Sequence, residues 1–160
     1  MKNLVDLAKQ DVLAFLRTNQ ELLFNERDFQ MHLATHLRQT KHYDDVDVEY
    51  YVPRDALENY IWNSELRLDI LVQKNEEYLP IELKYKTKRA EKNVLRFGEN
   101  IEKIQVLKNQ GAQDLGMYDF WKDVRRIELV RERFVNVHNG LTVFLTNDSL
   151  YTTQTRKNSN

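Results

Sequence analysis

Cysteine is missing from all 160 residues, which excludes disulfides and thiolate zinc sites and fits a reducing compartment. No stretch of about 18 apolar residues and no signal-peptide pattern occurs. The chain therefore reads as cytoplasmic, with no membrane among its partners. Net charge is nearly absent as well. The 24 Lys and Arg against 25 Asp and Glu leave −1, which excludes coating of nucleic acid through bulk charge but leaves room for a local basic face. No internal repeat or low-complexity tract stands out. What remains is a chain 41% hydrophobic and 31% charged, long enough for one domain with a substantial core.

The apolar residues are periodic. Leu4, Ala8, Val12, Phe15 and Leu16 recur at helical spacing over residues 3–17. Asn25 reads as an N-cap with Asp28 at N3, and Phe24 and Phe29 are spaced as a hydrophobic staple. The second helix then carries Phe29, Leu33, Ala34 and Leu37, giving way near Thr40. Three β-rich runs follow: VDVEYYV at 46–52, closed by Pro53, then LRLDILVQ at 66–73 and YLPIELKY at 78–85. Residues 53–64 form a polar loop with room for one short element. A stretch around 99–109 is expected to be irregular or briefly helical. Residues 113–133 read as a long helix with Leu115, Tyr118, Trp121 or Val124, and Leu129 at helical intervals, and its aromatics Tyr118, Phe120 and Trp121 are assigned to core packing. Asn139-Gly140 marks a turn before a last strand, LTVFLT at 141–146. The expected fold is α/β (α+β): a mixed sheet flanked by helices, in one domain over 1–147 with residues 1–20 as an N-terminal helical extension. Residues 148–160 read as a polar, frayed tail.

One spacing carries chemistry. If the second and third strands form a hairpin with a four-residue loop at 74–77, Gln73 faces Tyr78, Leu71 faces Pro80, Asp69 faces Glu82 and Arg67 faces Lys84. One side then holds Leu66, Leu68, Ile70, Val72, Leu79, Ile81, Leu83 and Tyr85, and a loop one residue longer or shorter breaks that segregation. The other side collects the charges. Directly opposed residues have β-carbons about 4.5 to 5.5 Å apart. Two carboxylates that close repel, and a hard divalent ion such as Mg²⁺ removes the conflict. Lys84, on the same face, is placed to hold or deprotonate a water or to stabilise charge growing on phosphorus.

The set Asp69 … Glu82-Leu83-Lys84, on adjacent strands behind a helix, resembles the PD-(D/E)xK nuclease superfamily. The element order α-β-β-β-α-β matches its restriction-endonuclease-like core over roughly residues 20–147. The resemblance implies a Mg²⁺-dependent DNA endonuclease, with Mn²⁺ as a substitute ion, in which Asp69 and Glu82 ligate the metal and Lys84 contacts the attacking water. It also implies an acidic ligand from the first core helix. Glu26 matches best, with Gln30 one turn further on and Glu21 as a weaker candidate. Leu68 stands where the motif has proline. Nucleic acid, most simply DNA, is the implied partner; a homodimer and further domains outside this chain are compatible with it, because many relatives continue beyond the last strand.

The basic run Lys86, Lys88, Arg89, Lys92 and Arg96 fits contacts to a phosphate backbone as well as it fits a solvated loop. Arg67 joins Gln30 as an auxiliary candidate. His32 and His36, in HLATH, are spaced for a metal, but Leu33 stands where a zinc protease helix needs Glu, so two exposed histidines are expected. Arg125, Arg126, Arg131 and Arg133 alternate with Glu128 and Glu132 as in i,i+4 ion pairing. The rival expectation is a non-catalytic nucleic-acid-binding or protein-interaction module on the same scaffold. A more distant one, a phosphate-handling metal enzyme of another fold, requires that 66–85 not be a hairpin.

Overall fold

A computed structural model describes residues 3–110 and 113–151, without the side chains of Gln113 and Asp114. The described chain is mixed α and β. Helices α1 (Leu4–Thr18) and α2 (Glu26–Thr40) precede strands β1 (Asp45–Val52), β2 (Leu66–Lys74) and β3 (Glu77–Lys86). Strands β4 (Ala90–Arg96) and β5 (Glu99–Leu107) then form a separate ribbon, before helix α3 (Gln113–Arg133) and strand β6 (Leu141–Thr146).

Both N-terminal helices begin as their sequences direct. Asn3 and Asn25 each accept a hydrogen bond from the main chain three residues on, at Asp6 and Asp28, satisfying amides that the first turn leaves free. The stripes of α1 and α2 meet the sheet in the main core, with Phe29, Leu33, Leu37, Ile70, Ile81 and Leu83 fully buried. Each such side chain contributes about 1.5 to 3 kcal/mol. Thus α1 belongs to this core. A second cluster packs Leu66, Leu68 and Leu71 against Val130 of α3 and Val137. The sheet therefore has helices on both faces. The side expected to carry charges in solvent also buries Leu71 and Pro80.

The four-stranded sheet has the order β1-β2-β3-β6, antiparallel except for the parallel pair β3 and β6. The hairpin of β2 and β3 is in the expected register, with Gln73 opposite Tyr78 and Leu71 opposite Pro80. Its loop is shorter than expected. Lys74 still pairs with Glu77, and the turn is Asn75-Glu76, with φ of 50° and 64°. Two consecutive left-handed residues match the twist of a two-residue hairpin turn.

Four regions differ from the sequence reading. Residues 99–107 are strand β5, and the basic segment after β3 becomes its partner β4, because Val94, Val106 and Leu107 find cover on the main core. On α3 the buried positions include Asp123, Ile127 and Val130, while Leu115, Tyr118 and Trp121 are exposed; Phe120 alone of the three aromatics packs on the sheet, against Phe144. His32 and His36 are half-buried, His32 beside Glu21 and His36 on the Phe15 ring. The beginning of the tail is anchored: Asn147 exchanges hydrogen bonds with Lys88, and the Tyr151 ring rests on Phe144. Residues 152–160 lie outside the described part.

Candidate active site

β3 changes partner halfway along its length. Up to Ile81 it is laddered to β2; from Ile81 to Lys86 it is laddered to β6. The last β2 pair is Ile70 with Ile81, so the two strands part at Asp69 and Glu82. The gap has to be closed chemically, since buried main-chain groups need partners. The carboxylates do this. Asp69 Oδ2 accepts from the Leu83 amide at 2.7 Å, and Glu82 Oε2 accepts from the Asp69 amide at 3.4 Å. Glu26, in the first turn of α2, accepts from the Tyr85 amide at 3.0 Å.

Three of the four expected catalytic residues thus meet at the fork, and the fourth joins them. Lys84 Nζ lies 3.9 Å from Glu26 Oε1. Its nearest partner is one that the sequence reading did not find: Asp123 of α3, at 2.9 Å. Asp123 also faces the Arg126 guanidinium at 3.7 Å, and Arg126 is backed by the Trp62 and Tyr60 rings and donates to Ser64. The only signal for Asp123 was its place, four residues before Ile127 on the buried stripe of α3, where an acid needs a partner.

Gln30 is also in place, one turn beyond Glu26. Its Nε2 donates to the Asp69 carbonyl at 2.7 Å and to Glu49 Oε1 at 2.8 Å, tying down the strand where the ladder fails. Glu49 itself sits at φ 52°, the left-handed region, and interrupts the β1–β2 pairing opposite Asp69. Arg67 is elsewhere. It pairs across to Tyr51 on β1, lies over that ring and faces Glu65, because β2 has left β3 before reaching it. Glu21, the weaker acidic candidate, stands beside His32 instead.

The electrostatics are those of acids taken out of water. Burial is the largest influence on Glu82 and pushes its carboxyl well above the usual range; the nearby Asp69 charge and a hydrogen bond to Asp69 add to it. Burial also raises Asp69, against the bonds from Glu82 and the Leu83 amide that favour its ionised form. Glu26 is raised by burial, with the Lys84 charge and the Tyr85 amide opposing. For Lys84 burial acts downward, but Asp123, Glu26 and Asp69 outweigh it, and the ammonium is held above its ordinary value.

Glu82 Oε1 is buried and has no hydrogen-bond partner. A lone carboxylate oxygen beside a second carboxyl group suits a hard cation, and Mg²⁺ asks for only one or two protein carboxylates, completing its shell with water. Among the described residues no group of three or more His, Cys, Asp or Glu side chains is placed to hold a metal ion, the set Asp69, Glu82 and Glu26 included. Asp69 and Glu82 are the pair that fits, with Glu26 beside them.

The expected phosphate-contacting residues are spread along the ribbon and its base. Lys86 faces Asp119 at 4.0 Å, Arg89 pairs with Glu91, Lys88 binds Asn147 through its main chain, Lys92 lines a shallow pocket beside Tyr85, and Arg96 lies over the Phe24 ring. The four arginines of α3 divide: Arg125 pairs with Glu128 and Glu132, Arg131 and Arg133 bind main-chain carbonyls, and Arg126 supports Asp123. A comparison of the chain with known proteins finds no matching family model, no matching curated protein and no matching solved structure.

Proposed function

We propose that this chain is a Mg²⁺-dependent nuclease of the PD-(D/E)xK type that hydrolyses phosphodiester bonds in DNA. The observation that carries the reading is the fork: two strands part so that the Asp69 amide donates to the Glu82 carboxylate, Glu82 keeps an unpartnered oxygen, and the Lys84 ammonium stands beside Glu26 at the same place. The order α2, β1, β2, β3, α3, β6 supports a restriction-endonuclease-like core, with the β4–β5 ribbon inserted after β3. The hairpin at 66–86 removes the premise of the rival metal enzyme of another fold.

Asp69 and Glu82 would hold the ion, with Glu26 closing the site from α2. When bound, Mg²⁺ supplies a water of lowered pKa and neutralises phosphate oxygens. The residues divide the rest. Burial holds the carboxyls of Asp69 and Glu82 above their ordinary range, so a cation bound there would favour their ionised forms. Lys84 stays charged because Asp123 holds it, so its role is to face the negative charge that builds on phosphorus, not to take a proton. Asp123 positions Lys84, and Gln30 positions the main chain of Asp69.

The test is cleavage of supercoiled, linear and single-stranded DNA, and of RNA, with Mg²⁺, Mn²⁺ or a chelator. Asp69→Asn is expected to abolish cleavage, and Lys84→Ala to slow it by about 10²- to 10³-fold. Cleavage that survives the chelator, or survives equally in both variants, defeats the proposal.

A further inference from the structure

The second apolar cluster, between the sheet and the end of α3, is not filled. A cavity of about 360 Å³ opens there, inside the range of about 300 to 1,000 Å³ that small-ligand pockets occupy. Leu71 and Val130 form part of its wall, and four aromatic residues join them: Tyr50 and Tyr51 of β1, Tyr78 of β3, and Phe134. No charged side chain lines it, and Arg67 stays outside, over the Tyr51 ring at 5.3 Å. Among the described residues, the hydroxyls of Tyr50, Tyr51 and Tyr78 and the carboxamide of Asn136 have no hydrogen-bond partner. Tyr50, Tyr51 and Val135 are exposed and form the rim.

The cavity shares two walls with the candidate site. On β2, Leu71 follows Asp69 by two residues, so both belong to one side of the strand, about 7 Å apart. On α3, Val130 follows Asp123 by seven residues, about 10 Å along the same buried stripe. The turn that closes the cavity is pinned by the main chain. The Tyr78 amide donates to the Asn136 carbonyl at 2.9 Å, and the Val137 amide to the Phe134 carbonyl at 3.0 Å.

From this we infer that the cavity takes one base of the substrate, turned out of its strand beside the scissile bond. The inference rests on the nuclease reading and deepens it, from nucleic acid in general to a strand that can give up a base. Uncharged aromatic walls suit a neutral planar ring, whereas a phosphate there would lack a cation. The free hydroxyls and carboxamide both donate and accept, as the polar edge of a base requires. A ring without such an edge gains nothing from them.

The test uses the full chain with chelator present, so that it does not depend on cleavage. Adenosine, thymidine, indole and inorganic phosphate are each titrated to millimolar concentration while the tyrosine ring resonances are followed by NMR. Both nucleosides are expected to shift the rings of Tyr50, Tyr51 and Tyr78 saturably, and phosphate to leave them in place. Val135→Trp, at an exposed position on the rim, should plug the mouth and abolish those shifts. Asn136→Ala should weaken nucleoside binding by about three- to tenfold. The inference is overturned by the absence of saturable shifts with either nucleoside, by equal shifts with phosphate, or by indole binding more tightly than both nucleosides. Shifts that survive Val135→Trp also overturn it, as do shifts that follow protein concentration alone, which a second copy filling the cavity would give. Cleavage by the wild type without nucleoside binding sinks the pocket and spares the nuclease. Nucleoside binding at these rings without cleavage sinks the nuclease and spares the pocket.

Discussion

Two buried carboxylates in this protein are treated in opposite ways. Asp11, on α1, is fully provided for: the Tyr43 hydroxyl donates to it at 2.6 Å and the His42 ring lies at 2.9 Å. The same contact pushes the Tyr43 hydroxyl far up, through burial first and then its bond to Asp11. Glu82, on β3, is as deeply buried and has one oxygen with no partner. Burial by itself therefore does not mark a functional acid. What separates Glu82 from Asp11 is the oxygen left without a partner, a cost that a bound cation would relieve.

Asp123 lies between these cases, because its partner is the ammonium that the proposed cleavage would use, and it should show the largest effect on stability. Asp123→Asn leaves the half-buried Lys84 ammonium without its main counter-ion and should cost about 3 kcal/mol in chemical unfolding. It should also slow cleavage by about 10- to 100-fold, as removal of a supporting partner does. Asp11→Asn tests the satisfied acid. It breaks bonds to Tyr43 and His42, should cost about 1 to 3 kcal/mol, and should leave the cleavage rate per folded molecule unchanged. Glu82→Gln tests the orphan and should run the other way. It should end cleavage while stabilising the metal-free protein by about 1 to 2 kcal/mol at pH 8. The pH dependence follows from the raised Glu82 pKa. The native state keeps a proton that the unfolded chain releases, so wild-type stability falls as pH rises from the ordinary carboxylate range through the raised value. The advantage of Glu82→Gln should shrink as pH falls through and below the ordinary carboxylate range, where both states of the wild type become protonated; an advantage independent of pH would dissociate it from this ionisation. Added Mg²⁺ should raise the melting temperature of the wild type and not that of the variant.

Much of this was legible in the sequence because the sheet is strict about parity. A slip of one residue would put Ile70 and Val72 on the opposite face from Leu79 and Ile81, and the register found, Ile70 opposite Ile81, leaves Asp69 next to Glu82. Asn25 and Asp28 announced the start of α2, and with it the position of Glu26. What parity does not reveal is where a ladder ends. Arg67 was placed opposite Lys84 by continuing a pairing that stops at Ile70, because the partner change of β3 depends on β6, some 60 residues away. Asp123 was hidden for a related reason. An acid on an amphipathic helix reads as solvent-facing until the fold shows that Lys84 is waiting beneath it. The ribbon was missed because Lys92, Arg96 and Glu99 dilute the apolar alternation that identifies strands.

The parting of β2 and β3 has one more consequence. Leu83, Asp69 and Tyr85 each direct an amide hydrogen to a carboxylate of the site, so the acids finish the hydrogen-bond accounting of the sheet. Whatever the chain does, this fold needs an oxygen at positions 69 and 82, or the crevice would be left with bare amides. Lys84 serves no main-chain amide; its partners are the acids Asp123 and Glu26, so among related chains Lys84 and Asp123 would be expected to be kept or lost together.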